Sequence, residues 1–479
     1  MTSGSRPYQN QCSLPFILYP PQMYKVNDGD AFAHYFLGLK ESIENYVLYL
    51  SVPFCRVQCY ACPYFVTLLS EADPTNLEDR YVNALIKDMK KWATYPRFEK
   101  GHLQSVYIGG GTGSILKTEN LKRIVDTVSD CFPLADEYDF TLEGNARDFD
   151  EEKIAYVGRS KINRVSLGVQ SFDAAFLEVI GAPHEAEQSI TTVKALQAQG
   201  INNINVDVMY NVPNHTEAVL QRDLHCLGEL NINHVTAYAY RVHRDTKQEK
   251  RIKSGQVNAI HKSDSVAVQR LHAMLCHTLE GLGFKQYMFD HFAKPGRESK
   301  YQYWTFKEGV DALGIGAGAY SFINNYRAGS SKKVEKYLST VEAGSHFIVS
   351  ASRHLNVQYR KERYVIFSFQ YFFIDYDAYT QKFKSAFLDD FRDVVERLER
   401  KGLVARESDR LVMSELGKQW RMNVLLEFIN DECWGDQEAK KEPNWAMNIS
   451  MVDLTAENKK FWLGAPSESL ECLRVVEVE

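Results

Sequence analysis

From Tyr46 onward the chain alternates two kinds of stretch. Short runs of apolar, β-branched and aromatic residues fit strands buried on both faces, and stretches with apolar residues every three or four positions fit amphipathic helices. Six runs predict strands: Tyr46 to Val52, Ser105 to Ile108, Asp139 to Leu142, Arg164 to Val169, Asn203 to Val208 and His234 to Tyr240. Between them Leu77, Tyr81, Leu85, Met89 and Trp92 share a helical spacing, as do Leu121, Ile124, Val125 and Val128. Ile190, Val193 and Leu196 form a third stripe, and Leu220, Leu224, Leu227 and Leu230 a fourth. Repetition of this kind calls for right-handed parallel crossovers. Six units fall short of a closed eight-fold barrel. The expected fold is α/β, a partial (β/α)6 TIM-like barrel.

After Arg241 the rhythm breaks. A helix is predicted over about Val257 to Leu282, followed by the glycine-dense run Leu313 to Tyr320. Near Ser350 a second unit begins, in which Phe387, Phe391, Val394, Val395 and Leu398 mark one helix face. Gly402 stops that helix, and Leu403-Val404 and Leu411-Val412 read as the strands of a wing, so this is a smaller C-terminal α+β, winged-helix-like domain. Its exposed helix face carries Asp389, Asp390, Asp393, Glu396 and Glu399, which suits a cap or docking module and not a nucleic-acid reader. The layout expected is an N-terminal extension (1–40) packing across the main domain, the barrel (41–275), a connector (276–349), the C-terminal domain (350–430) and a tail (431–479) without a clear period.

Composition narrows the class further. At 479 residues the chain can bury a large core, and 25% charged with 44% hydrophobic residues is ordinary for a globular protein. The net charge of −6 leaves no nucleic-acid footprint. Nine cysteines, an odd number thinly spread outside one cluster, suit a reducing compartment. Neither a signal peptide nor a run long enough to span a bilayer is visible, so a cytoplasmic location without membrane partners is expected.

The candidate chemistry begins at that cluster. Cys55, Cys59 and Cys62 follow the first predicted strand in CxxxCxxC spacing, where barrels place their active loops. Three nearby thiolates can hold a soft metal centre, an iron–sulfur cluster with one open iron or a structural zinc with a remote fourth ligand, or they can be three unrelated buried cysteines. More groups fall where later strands end. Gly109-Gly-Gly-Thr112 offers backbone N–H groups to an anion. Glu143 can accept from an ammonium group. Gln170 and Asp207 can reach ribose hydroxyls, or else cap the helices that follow them.

Together these motifs resemble the radical S-adenosylmethionine (radical SAM) superfamily. The cysteine loop, Gly-Gly-Gly-Thr, Glu143-Gly-Asn, Arg164-Val-Ser-Leu-Gly-Val-Gln-Ser-Phe172 and Asn205-Val-Asp-Val-Met-Tyr-Asn-Val-Pro213 carry the resemblance. Phe292 to Ser299, Tyr303-Trp304 and Gly314 to Ala319 extend it to the HemN-like branch, named for oxygen-independent coproporphyrinogen III oxidase. The resemblance implies a [4Fe–4S] cluster on Cys55, Cys59 and Cys62, with the open iron chelated by S-adenosylmethionine. It implies reductive cleavage to a 5′-deoxyadenosyl radical, with flavodoxin or ferredoxin as electron donor. Tyr49, Gly110 and Glu143 match positions that hold this molecule. Gly111, Thr112, Gln170, Asp207 and Ala239 match positions that hold a second S-adenosylmethionine.

Several positions depart from the family pattern. Ser51 stands where porphyrinogen-acting members carry His, Ala61 where an aromatic residue precedes the third cysteine, and Ala182 where an arginine is usual. Cys62-Pro-Tyr-Phe65 looks more like HemN-like methylases of secondary metabolism. The resemblance therefore implies C-methylation or cyclopropanation at an sp² carbon of an aromatic or unsaturated natural product, with a partner methyltransferase for ring closure. The alternatives are a coproporphyrinogen III dehydrogenase or haem-degrading methylase, and a haem-binding chaperone on the same fold. No protein acid or base for catalysis is identifiable.

Overall fold

In the computed structural model the described residues are 6–8, 11–12, 19–20, 23–38, 44–64, 66–243, 245–261, 265–430, 463 and 477–478. Nearly all of the expected tail, with Cys433 and Cys472, lies outside them, as does Phe65. The six predicted strands are present as β1 (Asn45–Val52), β2 (His102–Gly110), β3 (Leu134–Gly144), β4 (Arg164–Gln170), β5 (Ile204–Tyr210) and β6 (His234–Ala239). They lie side by side in chain order and all pair in parallel. Val47, Leu48, Leu50 and Val52 on β1, and Val206 and Val208 on β5, are buried, as parallel strands covered by crossover helices must be.

The predicted helical stripes belong to Leu77–Ala93, Thr118–Cys131, Ala186–Ala198 and Glu217–Glu229. Two further helices, Glu151–Arg159 and Ala174–Ile180, follow β3 and β4. They are short, and their starts are written in single capping residues: Asp150 accepts from Lys153 N and Asp173 from Phe176 N. The helix expected from Val257 begins only at Val266, behind its cap Ser265, because Ile260–His261 is extended.

The sheet runs well past the six strands. Asp311–Ile315 lies parallel beside β1, and Tyr320–Ile323, Tyr326–Gly329, Ser350–Ala351 and Tyr24–Lys25 continue it antiparallel. Beyond β6 come His291–Ala293 and Lys285–Met288, also antiparallel. The two outermost strands do not pair with each other, so the barrel stays open. These additions are short and find partners distant in sequence, which no local periodicity announces.

One core lies on the barrel strands and their helices and extends to Phe347. A second gathers Leu355, Phe369, Phe387, Phe391, Val395 and Leu398 with Tyr8, Cys12 and Tyr19 from the N-terminal region. The wing has three strands, since Phe373–Asp375 joins Val404–Arg406 and Arg410–Met413. The N-terminal residues bond to this C-terminal unit: Tyr19 donates to Glu362 (2.6 Å) and Cys12 N to Asn423 Oδ1 (2.8 Å). The helix Gly29–Gly38 packs instead on the barrel core. Among the described residues no helix is long and apolar enough to cross a membrane.

Ser51 has a structural job at the end of β1. Its hydroxyl donates to Ala317 O (2.6 Å), while Tyr81 donates to Ser51 O (2.8 Å) and accepts from Ala317 N (3.0 Å). This buried knot ties the strand that launches the cysteine loop to the first crossover helix and to the turn after Ile315. Tyr81→Phe would leave a buried N–H and C=O without their partner, so a loss of about 1–3 kcal/mol is expected. A guanidinium unfolding curve would measure it, and a midpoint equal to wild type would refute the role.

Candidate functional site

The cysteine loop is held at both flanks. Phe54–Cys55 pairs in parallel with Thr67–Leu68, and Leu69 N donates to Cys55 O (3.0 Å). Further along, Tyr60 N donates to Ile180 O (2.8 Å), Gln248 N to Tyr60 O (2.9 Å), and the Arg251 guanidinium lies 4.4 Å over the Tyr60 ring. Ala61 is buried in an apolar cluster with Phe176, Leu177 and Ile180. A larger side chain in that slot would have to displace this packing.

The loop covers one end of a cavity of about 520 Å³ inside the barrel. Cys55, Cys59 and Cys62 line it, and so do Gly111, Thr112, Glu143, Gln170, Asp207 and Ala239. Tyr49 and Gly110 stand behind this wall. The Tyr49 ring stacks on Tyr107, with centroids 5.8 Å apart and planes 11° from parallel. Gly110 has φ +113°, and a side chain there would meet Ser51 Oγ and the Tyr49 hydroxyl. At Gly111 a Cβ would come 2.5 Å from Phe54 O, so the backbone can pass the cysteine loop only without one.

Glu143 faces the cavity from the end of β3 and accepts from Gly110 N–H and the Tyr107 hydroxyl. Desolvation, aided by the negative charge of Asp207, nonetheless pushes it up to about 7. Asp207 is itself raised by burial, against hydrogen bonds from Asn205 (2.7 Å) and Thr236. Burial likewise pushes the thiols of Cys55, Cys59 and Cys62 up to about 12, 11 and 11. The cavity therefore concentrates groups that would become anions if a cation or metal lay among them.

Neither Gln170 nor Asp207 caps a helix. Asp173 caps the helix after β4 and Thr216 the helix after β5. Gln170 has a left-handed backbone (φ +67°) and its Oε1 accepts from Tyr238 (3.1 Å). Asp207 sits in mid-strand with its side chain turned inward. Tyr107, Arg164, Ser166, Asn205, Thr236 and His291 also line the cavity and were missed as site residues. Their signal was available: Arg164, Ser166, Gly168 and Gln170, then Asn205 and Asp207, then Thr236 and Tyr238 recur every second residue, the period of one strand face.

The donor set can be tested against its two metal readings. A structural zinc needs four ligands about 2.0–2.3 Å from one point. Among the described residues no three His, Cys, Asp or Glu side chains converge closely enough to share one ion. Three sulfurs lining one cavity are a donor set that an iron–sulfur cluster can use.

Comparison with known proteins agrees. Residues 49–227 match the Radical SAM superfamily. That segment resembles a radical SAM domain. That superfamily uses a [4Fe–4S] cluster and S-adenosylmethionine. Among solved structures, coproporphyrinogen III oxidase (HemN) from Escherichia coli shares the fold, with a TM-score of 0.73 at 21% identity over 84% of this chain and 94% of that one. Among curated proteins, heme chaperone HemW of Lactococcus lactis subsp. lactis (strain IL1403) is 27% identical, covering 80% of this chain and 97% of its own length. HemW of Bacillus subtilis (strain 168) is 25% identical, covering 80% and 99%. Anaerobilin synthase of Escherichia coli O157:H7 is 25% identical over 66% of this chain and 69% of its length.

These relatives overturn the expected natural-product methylase or cyclopropanase, and the partner methyltransferase with it. That reading leaned on Pro63, Ala61 and Ser51. The last two are accounted for by local packing and by the knot at the end of β1.

The raised carboxyl of Glu143 has a signed consequence. In the cofactor-free fold it keeps its proton up to about 7, whereas the unfolded chain releases it near 4.5. The native state then binds more protons between those values, so stability falls as pH rises through that window. Urea unfolding of wild type between pH 5 and 7.5 should lose on the order of 2 kcal/mol that Glu143→Gln keeps. Parallel profiles would exclude the buried carboxyl as the cause.

Proposed function

We propose that this chain is a haem-binding radical SAM protein that holds a tetrapyrrole and delivers it to a client protein. The observation that carries this reading is the near end-to-end alignment with the two HemW chaperones. A cytoplasmic setting fits the thinly spread free cysteines.

In this reading Cys55, Cys59 and Cys62, which line the cavity, would hold the [4Fe–4S] cluster. When bound and reduced, the cluster and S-adenosylmethionine together supply one-electron cleavage chemistry. Tyr49, Gly110 and Glu143 hold that S-adenosylmethionine. A Glu143 carboxylate would accept from the N–H groups of its amino nitrogen, and positive charge close by would favour the ionised form that burial disfavours. Gly111 and Thr112 offer backbone and hydroxyl groups to a second molecule. Gln170, its oxygen already engaged by Tyr238, has its amide N–H groups to donate, and Asp207 accepts from ribose hydroxyls. Ala239 contributes a small apolar wall. A flavodoxin or ferredoxin is the expected electron donor.

A second reading is favoured by the intact set of three cysteines and Glu143 around one cavity, together with the anaerobilin synthase relative. In it the tetrapyrrole is a substrate and is consumed. One anaerobic experiment separates the two. Reconstituted protein is mixed with haemin, S-adenosylmethionine and reductant, and the products are read by mass spectrometry. The chaperone reading expects haem recovered unmodified and transferable to an apo-haemoprotein, whereas methylated or opened tetrapyrrole with stoichiometric 5′-deoxyadenosine would establish the enzyme. Replacing Cys55, Cys59 and Cys62 together with alanine should abolish the iron–sulfur electron paramagnetic resonance signal, and a persisting signal would sink both readings.

A further inference from the structure

A second cavity, of about 580 Å³, adjoins the first, and Ala239, Arg241 and Arg421 belong to the walls of both. The helix Val266–Gly281 forms one side, the end of β5 and the strand Lys285–Met288 another, and Glu415 to Arg421 of the C-terminal unit close it. Its size falls in the range of about 300–1,000 Å³ that encloses small ligands and cofactors.

His272 and Cys276 stand one helical turn apart on the helix face that lines this space. His272 Nε2 lies 3.4 Å from Cys276 Sγ, and Nδ1 is bonded to the Tyr210 hydroxyl at 3.1 Å. The cluster site uses neither residue. Burial, with the charge of Arg421 beside it, holds His272 below its ordinary value, so the imidazole is neutral near pH 7. Burial and Glu415 push the Cys276 thiol up to about 11. In the tautomer that donates from Nδ1 to Tyr210, Nε2 is the acceptor, as in metal-binding histidines, and it faces the Cys276 thiol, which iron would have to displace.

The rest of the wall has two characters. Val268, Phe284, Phe292 and Trp420 are apolar, while Arg241, Lys285, Lys418 and Arg421 are four cations, of which Lys418 pairs with Glu415 and Arg421 with Asp290. A flat apolar macrocycle with a central iron and two carboxylate arms matches all three features at once.

We propose that this second cavity seats haem, with His272 Nε2 as axial ligand to the iron and Lys285 and Lys418 meeting the propionates. The inference rests on the haem-binding reading above and adds its location and ligand. Cys276 Sγ, 3.4 Å from Nε2, is the competing ligand on the same helix face, and C276S tells the two apart. Haem in this position would lie next to the cluster cavity, separated from it by shared residues.

The test uses the full chain with its cluster reconstituted anaerobically, titrated with ferric haemin and followed by absorbance and electron paramagnetic resonance. Wild type is expected to show an imidazole-ligated haem spectrum. H272A should bind haemin at least tenfold more weakly and lose that spectrum, and added imidazole should restore it, which a misfolded chain would not allow. C276S should leave the spectrum unchanged. The surface pair K285A/K418A should weaken haemin several-fold yet leave haemin dimethyl ester unaffected, since the ester has no free propionates. Identical spectra and affinities for wild type and H272A, or loss of the spectrum in C276S alone, would overturn the assignment. If wild type binds no haemin at all, the haem-binding reading itself fails.

Discussion

The barrel interior crowds latent anions into a poorly solvated space, and most of the site follows from that. The thiols of Cys55, Cys59 and Cys62 share one cavity with the carboxyls of Glu143 and Asp207, among others, and each of these five is driven toward its neutral form by burial. Arg164 on the same wall offsets this for Asp207 without cancelling it, so the assembly favours protonated groups while the cavity is empty. Iron among the sulfurs and an ammonium beside Glu143 would reverse the balance, turning a destabilising arrangement into a selective receptor for those groups.

The scaffold holds these groups in place through connections that bypass the cavity. Ser51, Tyr81 and Ala317 knot the strand end, and Tyr60 ties the loop to Ile180 and Gln248. On the inner strand faces, Asn205 links Ser166 and Asp207 (2.8 and 2.7 Å), and His234 continues the network to Tyr287 (2.9 Å). Polar side chains with such fixed partners keep a buried site rigid before anything binds. Beyond Ala239 the wall changes character, and the second cavity is built partly from the C-terminal unit.

Much of this was legible in the chain itself. The six central strands and their stripes are periodic signals, because a strand covered by helices on one side and lining a core on the other needs apolar residues throughout. The cysteine loop was readable from spacing. Gln170 and Asp207 were ambiguous between ligand contact and helix capping, since both are polar residues near strand ends. Asp173 and Thr216 take the capping role, which a local reading could not apportion. The edge strands, the third strand of the wing and the start of the helix at Val266 were not visible, being short or dependent on distant partners.

Sequence alone therefore determined the parallel core, the cysteine spacing and the superfamily resemblance, because each is a regularity carried by neighbours along the chain. Tertiary structure decided which polar residues share the cavity, why Ser51 and Ala61 are tolerated, and that His272 and Tyr210 meet beside four cations. Those relations join residues tens or hundreds of positions apart, and they exist only where long-range packing closes the space between them.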